Sequence, residues 1–465
     1  MNLSLRLLAA FIATLSSLTS MAAEQEPPCL DLSCLVCPAA ADPDKYEGGA
    51  MGMVRHLALG KDQWLFRSEV DFDADFGVPA AMEPELRRLL RTFRDRGSDV
   101  MFAIQPTRGM MHRDKILADH AYGFDYPKAR RNLEHFLAQL RRSGALVPDI
   151  LPLVDHPPEQ EYFFRRDTHW TPAGAQASAR LTADAIRALP YYPALEKKQF
   201  RTEPGVTIVN YGALDIALAR LCRNGFGHQY LRGYRTVPVV EDAAALFDEQ
   251  PDAQVVLTGT SNSAARDEEI RHYNFDGYLK EYTQLDVLNF AMQGAGEYGA
   301  LLEYLHSPEY DSDRPPRLLV WELPASYRLD SPAMYRQLIP AIEGGCSKAK
   351  VLRAQHSDLP RMAVGERAEI LNNSGAGRLE FTGQDGFLEL RLADKNLRDF
   401  YLISYYDNGE RDKVRIRRPA VVSGGLYHLE LSRAANLRQA NLLSVLLEPN
   451  QALEAPSTLE VQLCQ

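Results

Sequence analysis

The 465-residue chain lacks the features that mark several classes of protein. After its first 23 residues it contains no uncharged apolar stretch of the ~20 residues that a membrane-spanning helix needs. It has no excess of positive charge, because 62 Asp and Glu outnumber 52 Lys and Arg, which argues against a dedicated nucleic-acid-binding protein. Glycine and proline are too few for a collagen-like or low-complexity chain. At roughly 150 residues per domain, we expect two or three folded domains.

The N-terminus is typical of a secretory signal peptide over residues 1–23. A short segment with one basic side chain ends at Arg6, Leu7–Leu18 is apolar, and small residues end at Ala23. The apolar run is too short to span a bilayer, which needs ~20 residues. We therefore expect an exported protein with no membrane span, and an uncleaved membrane anchor is the alternative.

Six cysteines, an even number, fit an exported protein whose thiols are oxidised. Cys34 and Cys37 have the spacing of a redox or zinc motif. No second Cys-x-x-Cys and no His-x₃-His accompany them, so disulfides are favoured and no metal is expected. A bridge between Cys346 and Cys464 would close a C-terminal domain.

Residues 24–345 are predicted to form an α/β domain. A helix is predicted over Glu83–Arg96, and another over an Ala-rich stretch that begins at Thr171-Pro172 and ends near Leu189. The predicted buried strands are Asp99–Gln105, Gln254–Thr258, Leu285–Asn289 and Arg317–Trp321. Buried strands separated by helices indicate a parallel sheet with helices on both faces.

Residues 346–465 are predicted to form a β-sandwich, because short strands and turns alternate there. The predicted strands are Arg378–Phe381, Gly386–Leu392, Phe400–Tyr406 and Tyr427–Leu431. The predicted turns are Gln384–Gly386 and Asp407–Gly409. The region is nearly neutral, so most of the net charge of −10 lies upstream of it.

A basic run in this region is a candidate polymer-binding surface. On a strand, alternate residues share one face, which here groups the cationic side chains of Arg411, Lys413, Arg415 and Arg417. Tyr401 and Tyr405 lie on the preceding strand and would stack on sugars. Such a stripe is suited to the carboxylates of a polymer. The alternative is a solvated edge strand that its charges protect from further pairing.

The most distinctive candidate motif for chemistry is Asp167-Thr-His169. Acyl transfer by a serine needs an imidazole base whose other nitrogen is oriented by a carboxylate, and these two residues supply both. The adjacent Arg165 and Arg166 are candidates to guide an anionic polymer towards them. A structural cap or a metal-binding pair is the alternative interpretation of Asp-x-His.

A candidate nucleophile follows one of the predicted strands. Gln254–Thr258 leads into Gly259-Thr-Ser261, and a helix is predicted to include Arg266–Ile270. A serine at the carboxyl end of a parallel strand stands above the sheet among backbone N–H groups, where an oxyanion site forms. We therefore predict Ser261 as the nucleophile and Ser263 as a helix-start hydroxyl. A serine in this position can also be only a helix cap.

The segment Gly294-Ala-Gly296-Glu-Tyr-Gly299 spells the dinucleotide-binding pattern G-x-G-x-x-G. It lies in the middle of the chain instead of opening the domain, and exported proteins rarely meet NAD, so we reject a dinucleotide site and expect no cofactor. Gly294 remains a candidate backbone donor, with Ser261, for an oxyanion.

Taken together, these motifs resemble those of the alginate O-acetyltransferases of bacterial exopolysaccharide systems. The similarity is carried by Asp-x-His before Gly-Thr-Ser-x-Ser, with Gly60–Phe66, Phe102–Gly109 and Val320–Pro324, and it covers essentially the whole mature chain. These enzymes have an SGNH-hydrolase-like domain in which Asp and His precede Ser. The C-terminal β region is similar to the carbohydrate-binding module of their periplasmic members.

The resemblance implies a periplasmic enzyme that acetylates mannuronate residues of alginate through an acetyl-serine intermediate. In it, Ser261 is the nucleophile, His169 the base and Asp167 the group that orients the base. It also implies the bridges Cys37–Cys222 and Cys346–Cys464, which leaves Cys29–Cys34. The implied partners are polymannuronate, an acetyl donor that is a protein or a small molecule, and other alginate export and modification proteins.

Two other functions fit the same residues. An acetylesterase with the same triad would remove acetyl groups from the polysaccharide. A polysaccharide-binding scaffold of a secretion complex would retain the triad without using it.

Overall fold

The computed structural model describes residues 37–48, 51–54, 56–117, 123–239, 254–265, 272–375, 377–382, 386–418 and 425–465. Four predictions fall wholly or mostly outside these residues: the signal peptide 1–23, the bridge Cys29–Cys34, the helix including Arg266–Ile270 and the turn Gln384–Gly386. No helix in the described part of the chain is both long and apolar enough to cross a bilayer.

An α/β region is followed by an antiparallel β region. The helices are α1 (Glu83–Asp95), α2 (Arg108–Met111), α3 (Tyr126–Ser143), α4 (Leu151–Asp155), α5 (Pro172–Arg187), α6 (Ala213–Cys222), α7 (Phe275–Thr283), α8 (Gly299–Leu305) and α9 (Pro332–Ile342). The strands of the first region are β1 (Leu57–Leu59), β2 (Leu65–Arg67), β3 (Asp99–Gln105), β4 (Phe200–Asn210), β5 (Gln229–Pro238), β6 (Val255–Thr258), β7 (Val287–Asn289) and β8 (Leu318–Pro324). Those of the second region are β9 (Val351–Leu359), β10 (Ala368–Asn372), β11 (Phe387–Leu392), β12 (Asp399–Tyr406), β13 (Arg411–Arg417), β14 (Leu426–Glu430), β15 (Leu442–Pro449) and β16 (Ser457–Cys464).

The core of the first region is the predicted parallel sheet, with strand order β3-β8-β6-β7. Every residue of β6 is buried, and so is every residue of β8 before Pro324. Because successive side chains of a strand point to opposite faces, both faces of the sheet are covered. The α/β prediction is confirmed.

The helices cover the sheet through the residues expected of amphipathic helices. In α1, the buried side chains are Leu86, Leu89, Leu90 and Phe93, which recur at helical spacing. At the start of α5, the Thr171 side chain accepts a hydrogen bond of 3.1 Å from the Gly174 N–H, and Pro172 occupies the first turn. The helix that carries the Asp-x-His segment on its N-terminal side therefore begins where the sequence predicts.

The sequence did not predict two antiparallel pairs of this region, β1 with β2 and β4 with β5. Strand β4 pairs with β5, and α6 lies between them in the chain. We call this pair the ribbon. Buried Ile208 opposes Leu231, which packs against the main core, while many of its other side chains are exposed.

The second region is the predicted β-sandwich. Its two four-stranded antiparallel sheets have the orders β10-β15-β12-β13 and β14-β11-β16-β9. Their inner faces form a second hydrophobic core, separate from that of the α/β region. Strand β13 is an edge strand of the first sheet.

The strand predicted at Arg378–Phe381 is wrong. In place of a ladder partner, the backbone of Leu379 binds the Asn373 side chain, whose Oδ1 accepts from the Leu379 N–H at 2.9 Å while Nδ2 donates to the Leu379 carbonyl at 3.0 Å. Asparagine side chains compete with sheet ladders in this way.

Disulfides join distant parts of the chain as the resemblance implied. Cys37 pairs with Cys222 at the end of α6, and Cys346 pairs with Cys464 at the end of β16. The second bridge ties the start of the sandwich to its last strand.

Buried and half-buried polar contacts join the two regions. Arg418, which follows β13, donates to Glu303 Oε1 in α8 from Nε at 2.8 Å and also from Nη2, and both side chains are almost completely buried. Other contacts across this boundary include the ion pairs Arg88–Glu430 and Arg336–Asp412 and the hydrogen bond His306–His428. Because these contacts are charged or polar and partly desolvated, they fix one relative orientation of the two regions.

Candidate active site

The predicted nucleophile lies in a tight loop after β6. A Cβ atom on Gly259 would lie 2.6 Å from Glu322 Oε2, so the loop requires glycine there. The next residue, Thr260, donates to that same oxygen from its N–H at 2.8 Å and from its hydroxyl at 3.0 Å. Glu322 in β8 thereby holds the backbone immediately before Ser261.

The predicted base and its orienting carboxylate lie in the loop before α5. His169 Nδ1 lies 2.7 Å from Asp167 Oδ1, and His169 Nε2 lies 2.8 Å from Ser261 Oγ. With Nδ1 donating to the carboxylate, Nε2 is left to accept the proton of Ser261. The structure thus brings together three side chains from two distant parts of the sequence, up to 94 positions apart. Their arrangement is that of a Ser-His-Asp catalytic triad.

The environment of Asp167 favours its ionised form. Burial opposes ionisation, but the charge and hydrogen bond of His169, the Asn210 amide and the Thr168 N–H together hold the pKa of Asp167 below its usual range. Asn210 Nδ2 donates to Asp167 Oδ2 at 3.0 Å from the end of β4. Asp167 therefore stays a carboxylate that can stabilise an imidazolium at His169.

Glu322 has the opposite environment. Its carboxyl group is completely buried, and burial raises the pKa of Glu322 to about 7, although the hydrogen bonds from Thr260 oppose the shift. Gln105 Nε2 donates to its other oxygen, Oε1, at 2.6 Å. Glu322 thus connects the ends of β3, β8 and β6 beneath the nucleophile loop.

A cavity of about 380 Å³ opens over the Ser261 and His169 side chains. Gly294 lines the same cavity in a left-handed conformation with φ of +70°, and no atom lies within 4 Å of where its Cβ would be. Among the described residues, the Gly294 N–H donates to no protein acceptor. Ser263 is only 2% exposed and does not line this cavity, whereas Ser261 does.

A buried charge cluster forms another wall of the cavity. Asp71 binds two guanidinium groups, with Oδ1 2.7 Å from Arg67 Nη2 and Oδ2 3.1 Å from Arg108 Nε. Burial lowers the pKa of Arg108 to about 10. Arg108 also donates to the carbonyls of Phe164 and Arg165, so it fixes the chain that leads into Asp167.

The two arginines beside Asp167 have different surroundings. The Arg165 side chain is 40% exposed and binds Glu161 Oε1 from Nε at 2.6 Å. Arg166 is buried, donates to the Gly227 carbonyl and packs against Phe226, and its burial lowers its pKa. The expectation that Arg166 guides a polymer is therefore corrected, because its charge faces the protein interior.

The basic stripe lies on β13 as the alternation predicts. Arg411, Lys413, Arg415 and Arg417 are all exposed, while Val414 and Ile416 between them are buried. Two of the cations already have carboxylate partners. Lys413 Nζ lies 2.6 Å from Glu448 Oε1, and Arg415 binds both oxygens of Asp399 at 2.8 and 2.6 Å.

The predicted tyrosines lie on the same face as the stripe. Tyr401 is opposite Arg415, and Tyr405 is opposite Arg411. The Lys413 ammonium stands 4.2 Å from the centre of the Tyr401 ring. Because β13 is a sheet edge, both the polymer-binding and the protected-edge interpretations of the stripe fit this geometry.

Sequence reasoning missed Asn210 and Glu322 as parts of the site. Glu322 carried a signal, because a lone carboxylate inside an otherwise apolar strand needs partners. Asn210 carried none, since its contact with Asp167 depends on the ribbon, which the sequence did not predict.

Comparison with known proteins places this chain in a family. Residues 57–325 match a family model described as an SGNH hydrolase-like domain, acetyltransferase AlgX, and residues 345–465 match one described as a C-terminal carbohydrate-binding module. The chain is 33% identical to the alginate biosynthesis protein AlgX of Pseudomonas aeruginosa, over 92% of this chain and 88% of that protein. It is 30% identical to the probable alginate O-acetylase AlgJ of Pseudomonas putida, over 62% of this chain and 73% of that protein.

A solved structure agrees with the sequence comparison. The structure of Pseudomonas aeruginosa AlgX superposes with a TM-score of 0.82 at 32% identity, covering 92% of this chain and 99% of that one. Both the SGNH-hydrolase-like fold and the terminal module expected from the sequence are therefore confirmed. The chain belongs to the AlgX family of alginate biosynthesis proteins.

Proposed function

We propose that this protein is a periplasmic O-acetyltransferase that acetylates mannuronate residues of alginate through an acetyl-Ser261 intermediate. The observation that carries the proposal is the hydrogen-bonded series Ser261–His169–Asp167 at the rim of a cavity, with 2.8 Å and 2.7 Å between successive side chains. The names of relatives supply the polymer and the acyl group. AlgJ is a probable alginate O-acetylase, and the matching family model is described as an acetyltransferase.

The reaction proceeds in two half-reactions that use the same base. His169 Nε2 takes the proton of Ser261 as Oγ attacks the acetyl carbonyl, and it returns that proton to the departing donor group. A hydroxyl of the sugar then gives its proton to His169 and attacks the acetyl-serine. Ser261 leaves with the proton from His169, and the enzyme returns to its starting state.

The tetrahedral intermediates of both half-reactions carry a negative oxygen. We propose the backbone N–H groups of Ser261 and Gly294 as its donors. Support comes from the left-handed backbone of Gly294, which lines the cavity beside Ser261 without a side chain in the way. The donor of the acetyl group is a protein or a small molecule, and other alginate export and modification proteins are proposed partners.

The same two-part architecture underlies the proposed division of the chain. We propose a signal peptide at 1–23, a catalytic domain at 24–345 and a carbohydrate-binding module at 346–465. The separate cores and the Cys346–Cys464 bridge support the second boundary.

Mass spectrometry tests the proposed function directly. Full-length protein incubated with an activated acetyl ester is expected to gain one acetyl group on Ser261 and to pass it to added oligomannuronate. Acetyl on another residue would overturn the mechanism. Release to water without transfer to the oligosaccharide would identify an esterase, and wild-type-like alginate acetylation in a Ser261→Ala strain would identify a scaffold.

Replacing Glu322 by glutamine is expected to lower kcat for a small acetyl ester by roughly 10–100-fold, because a displaced Thr260 backbone misplaces Ser261. An amide offers only one acceptor oxygen where Glu322 uses two, and its NH₂ would face either the Thr260 N–H or the Gln105 amide donor. Glu297→Gln is the matched control. Burial also raises the pKa of Glu297, but it contacts the Arg328 N–H instead of the nucleophile loop.

The effect of Glu322→Gln on the free energy of unfolding is expected to depend on pH. Because the pKa of Glu322 rises from its ordinary 4.5 to about 7 on folding, its contribution to stability is full below about pH 4.5 and is lost as pH rises through about 7. The difference in unfolding free energy between wild type and Glu322→Gln should therefore shrink over this range. An unchanged kcat and a pH-independent difference would both contradict this role.

Replacing Lys413 and Arg415 together by alanine is expected to weaken binding of long oligomannuronate a few-fold at low salt. An exposed cation contributes only ~0–1 kcal/mol to the free energy of binding. Lys413 and Arg415 are also already paired with Glu448 and Asp399. Hydrolysis of a small acetyl ester should not change, because the triad lies in the other region. Unaltered polymer binding would leave the stripe as a protected sheet edge.

A further inference from the structure

An exposed aromatic surface flanks the candidate active site. Of the eight large hydrophobic side chains that are exposed in the described residues, six lie between Val206 and Val239, on or next to the ribbon. Three neighbouring rings stand in series there, with 5.2 Å between the centres of Tyr211 and His228 and 6.1 Å between those of His228 and Tyr230. We call these three residues the aromatic row. A contiguous exposed apolar surface of this kind marks a binding site more often than isolated exposed apolar side chains do.

The aromatic row is fixed to the catalytic loop. Asn210, next to Tyr211, holds Asp167 through its amide. Gln229, between His228 and Tyr230, accepts from the Arg165 N–H at 3.0 Å and donates to Glu161 at 2.9 Å. The rings are therefore attached through their immediate neighbours to the loop that carries His169, and Ala213, two residues after Tyr211, lines the cavity.

An exposed cation, Arg232, lies beside the rings on the ribbon. Tyr230 is opposite Val209 in the ribbon, and Arg232 is opposite Thr207, and all four side chains are exposed. Arg232 pairs with no carboxylate in the described part of the chain. In a protein with a net charge of −10, a cation with no carboxylate partner among the described residues, beside aromatic rings, favours a ligand that is both negatively charged and partly apolar.

A uronate polymer has both properties. Each sugar presents C–H groups that pack on an aromatic ring, and each carries one carboxylate, which is ionised at neutral pH. Individual contacts of this kind are weak, but a chain held at several of them raises the local concentration of sugar hydroxyls. Water competes with the acceptor for an acetyl-enzyme, so holding the acceptor close is what transfer requires.

We propose that the aromatic row and Arg232 form an acceptor-binding surface that holds a segment of polyuronate next to the cavity of Ser261. This inference rests on the proposed function and adds a second polymer contact, in the catalytic region, to the one proposed on β13. A protein partner is the competing occupant.

Calorimetric titration of the full-length protein with deacetylated oligomannuronate tests the surface, without an acetyl donor so that no turnover occurs. Tyr211→Ala combined with Tyr230→Ala is expected to weaken binding roughly tenfold, and Arg232→Gln up to about fivefold. Val364→Ala is the control, because Val364 is 60% exposed on the terminal module, and its affinity should match wild type. Hydrolysis of a small acetyl ester should be unchanged in all of these variants.

The outcomes separate this inference from the proposed function. Unchanged affinity in the folded double variant would overturn the acceptor surface, and loss of a bound protein instead would assign the ribbon to a partner. Loss of affinity in a protein that transfers no acetyl would uphold the surface and overturn the transferase. Wild-type protein that binds no oligomannuronate would overturn both.

Discussion

Ser261→Ala is expected to abolish both ester hydrolysis and acetyl transfer, with a fall in kcat on the order of 10⁴-fold or more. The variant removes the hydroxyl oxygen that lies 2.8 Å from His169 Nε2 and is proposed to form the acetyl-enzyme, while His169 and Asp167 keep their positions. Adding His169→Ala or Asp167→Ala to it should cost little more, because the three side chains act as a unit. Steady-state kinetics with a chromogenic acetyl ester measures all of these variants, and thermal melting checks that each is folded.

Ser263→Ala is the matched control for this result. Ser263 lies two positions away, is only 2% exposed and does not line the cavity, so its removal should leave kcat within a few-fold of wild type. Near-normal activity of Ser261→Ala together with loss in Ser263→Ala would mean that the wrong serine has been identified.

Glu303→Gln is expected to destabilise the protein by roughly 3–5 kcal/mol, because it removes the carboxylate that pairs with the buried charge of Arg418. The side chains of Arg418 and Glu303 are 1% and 2% exposed, so water cannot replace the lost carboxylate. Denaturant unfolding followed by fluorescence measures the loss in free energy.

Two further variants make this result specific. Replacing both partners by methionine should recover much of the loss, since a desolvated ion pair and an apolar pair of similar volume often have similar free energies. Asp399→Asn breaks the Arg415 pair, whose side chains are 44% and 20% exposed, and should cost less than about 1 kcal/mol. Equal losses in Glu303→Gln and Asp399→Asn would show that burial of the inter-region pair is unimportant.

Much of the fold could be predicted because its strongest elements have local signals. The strands β3 and β6 are short continuous apolar runs, and α1 and α5 carry helical periodicity and caps. The ribbon had neither signal, since β4 is half exposed with little alternation and reaches β5 only across α6. Arg378–Phe381 had a strand-like composition, but the Asn373 side chain took both backbone hydrogen bonds of Leu379.

The residues of the candidate site likewise divide into those that a local sequence pattern could identify and those that it could not. Asp167 and His169 are two positions apart, and Ser261 has a recognisable place after a strand, so residue types and spacing were sufficient to select them. The contacts of Asn210 with Asp167 and of Thr260 with Glu322 join residues 43 and 62 positions apart, and no motif encodes them. Arg166 was misjudged because a charged residue beside a loop was assumed to be exposed, whereas Gly227 and Phe226 enclose it.

The polar contacts between the two regions fix the distance between the basic stripe on β13 and the cavity of Ser261. Because Arg418 binds Glu303 in α8 and Glu430 binds Arg88 in α1, strands β13 and β14 are held in a fixed position relative to the region that carries the cavity of Ser261. A polymer that bound β13 and the cavity at the same time would have to span the fixed distance between them. The interval between successive acetyl groups on one bound chain would then follow the dimensions of the protein, in place of the random spacing of a diffusing enzyme.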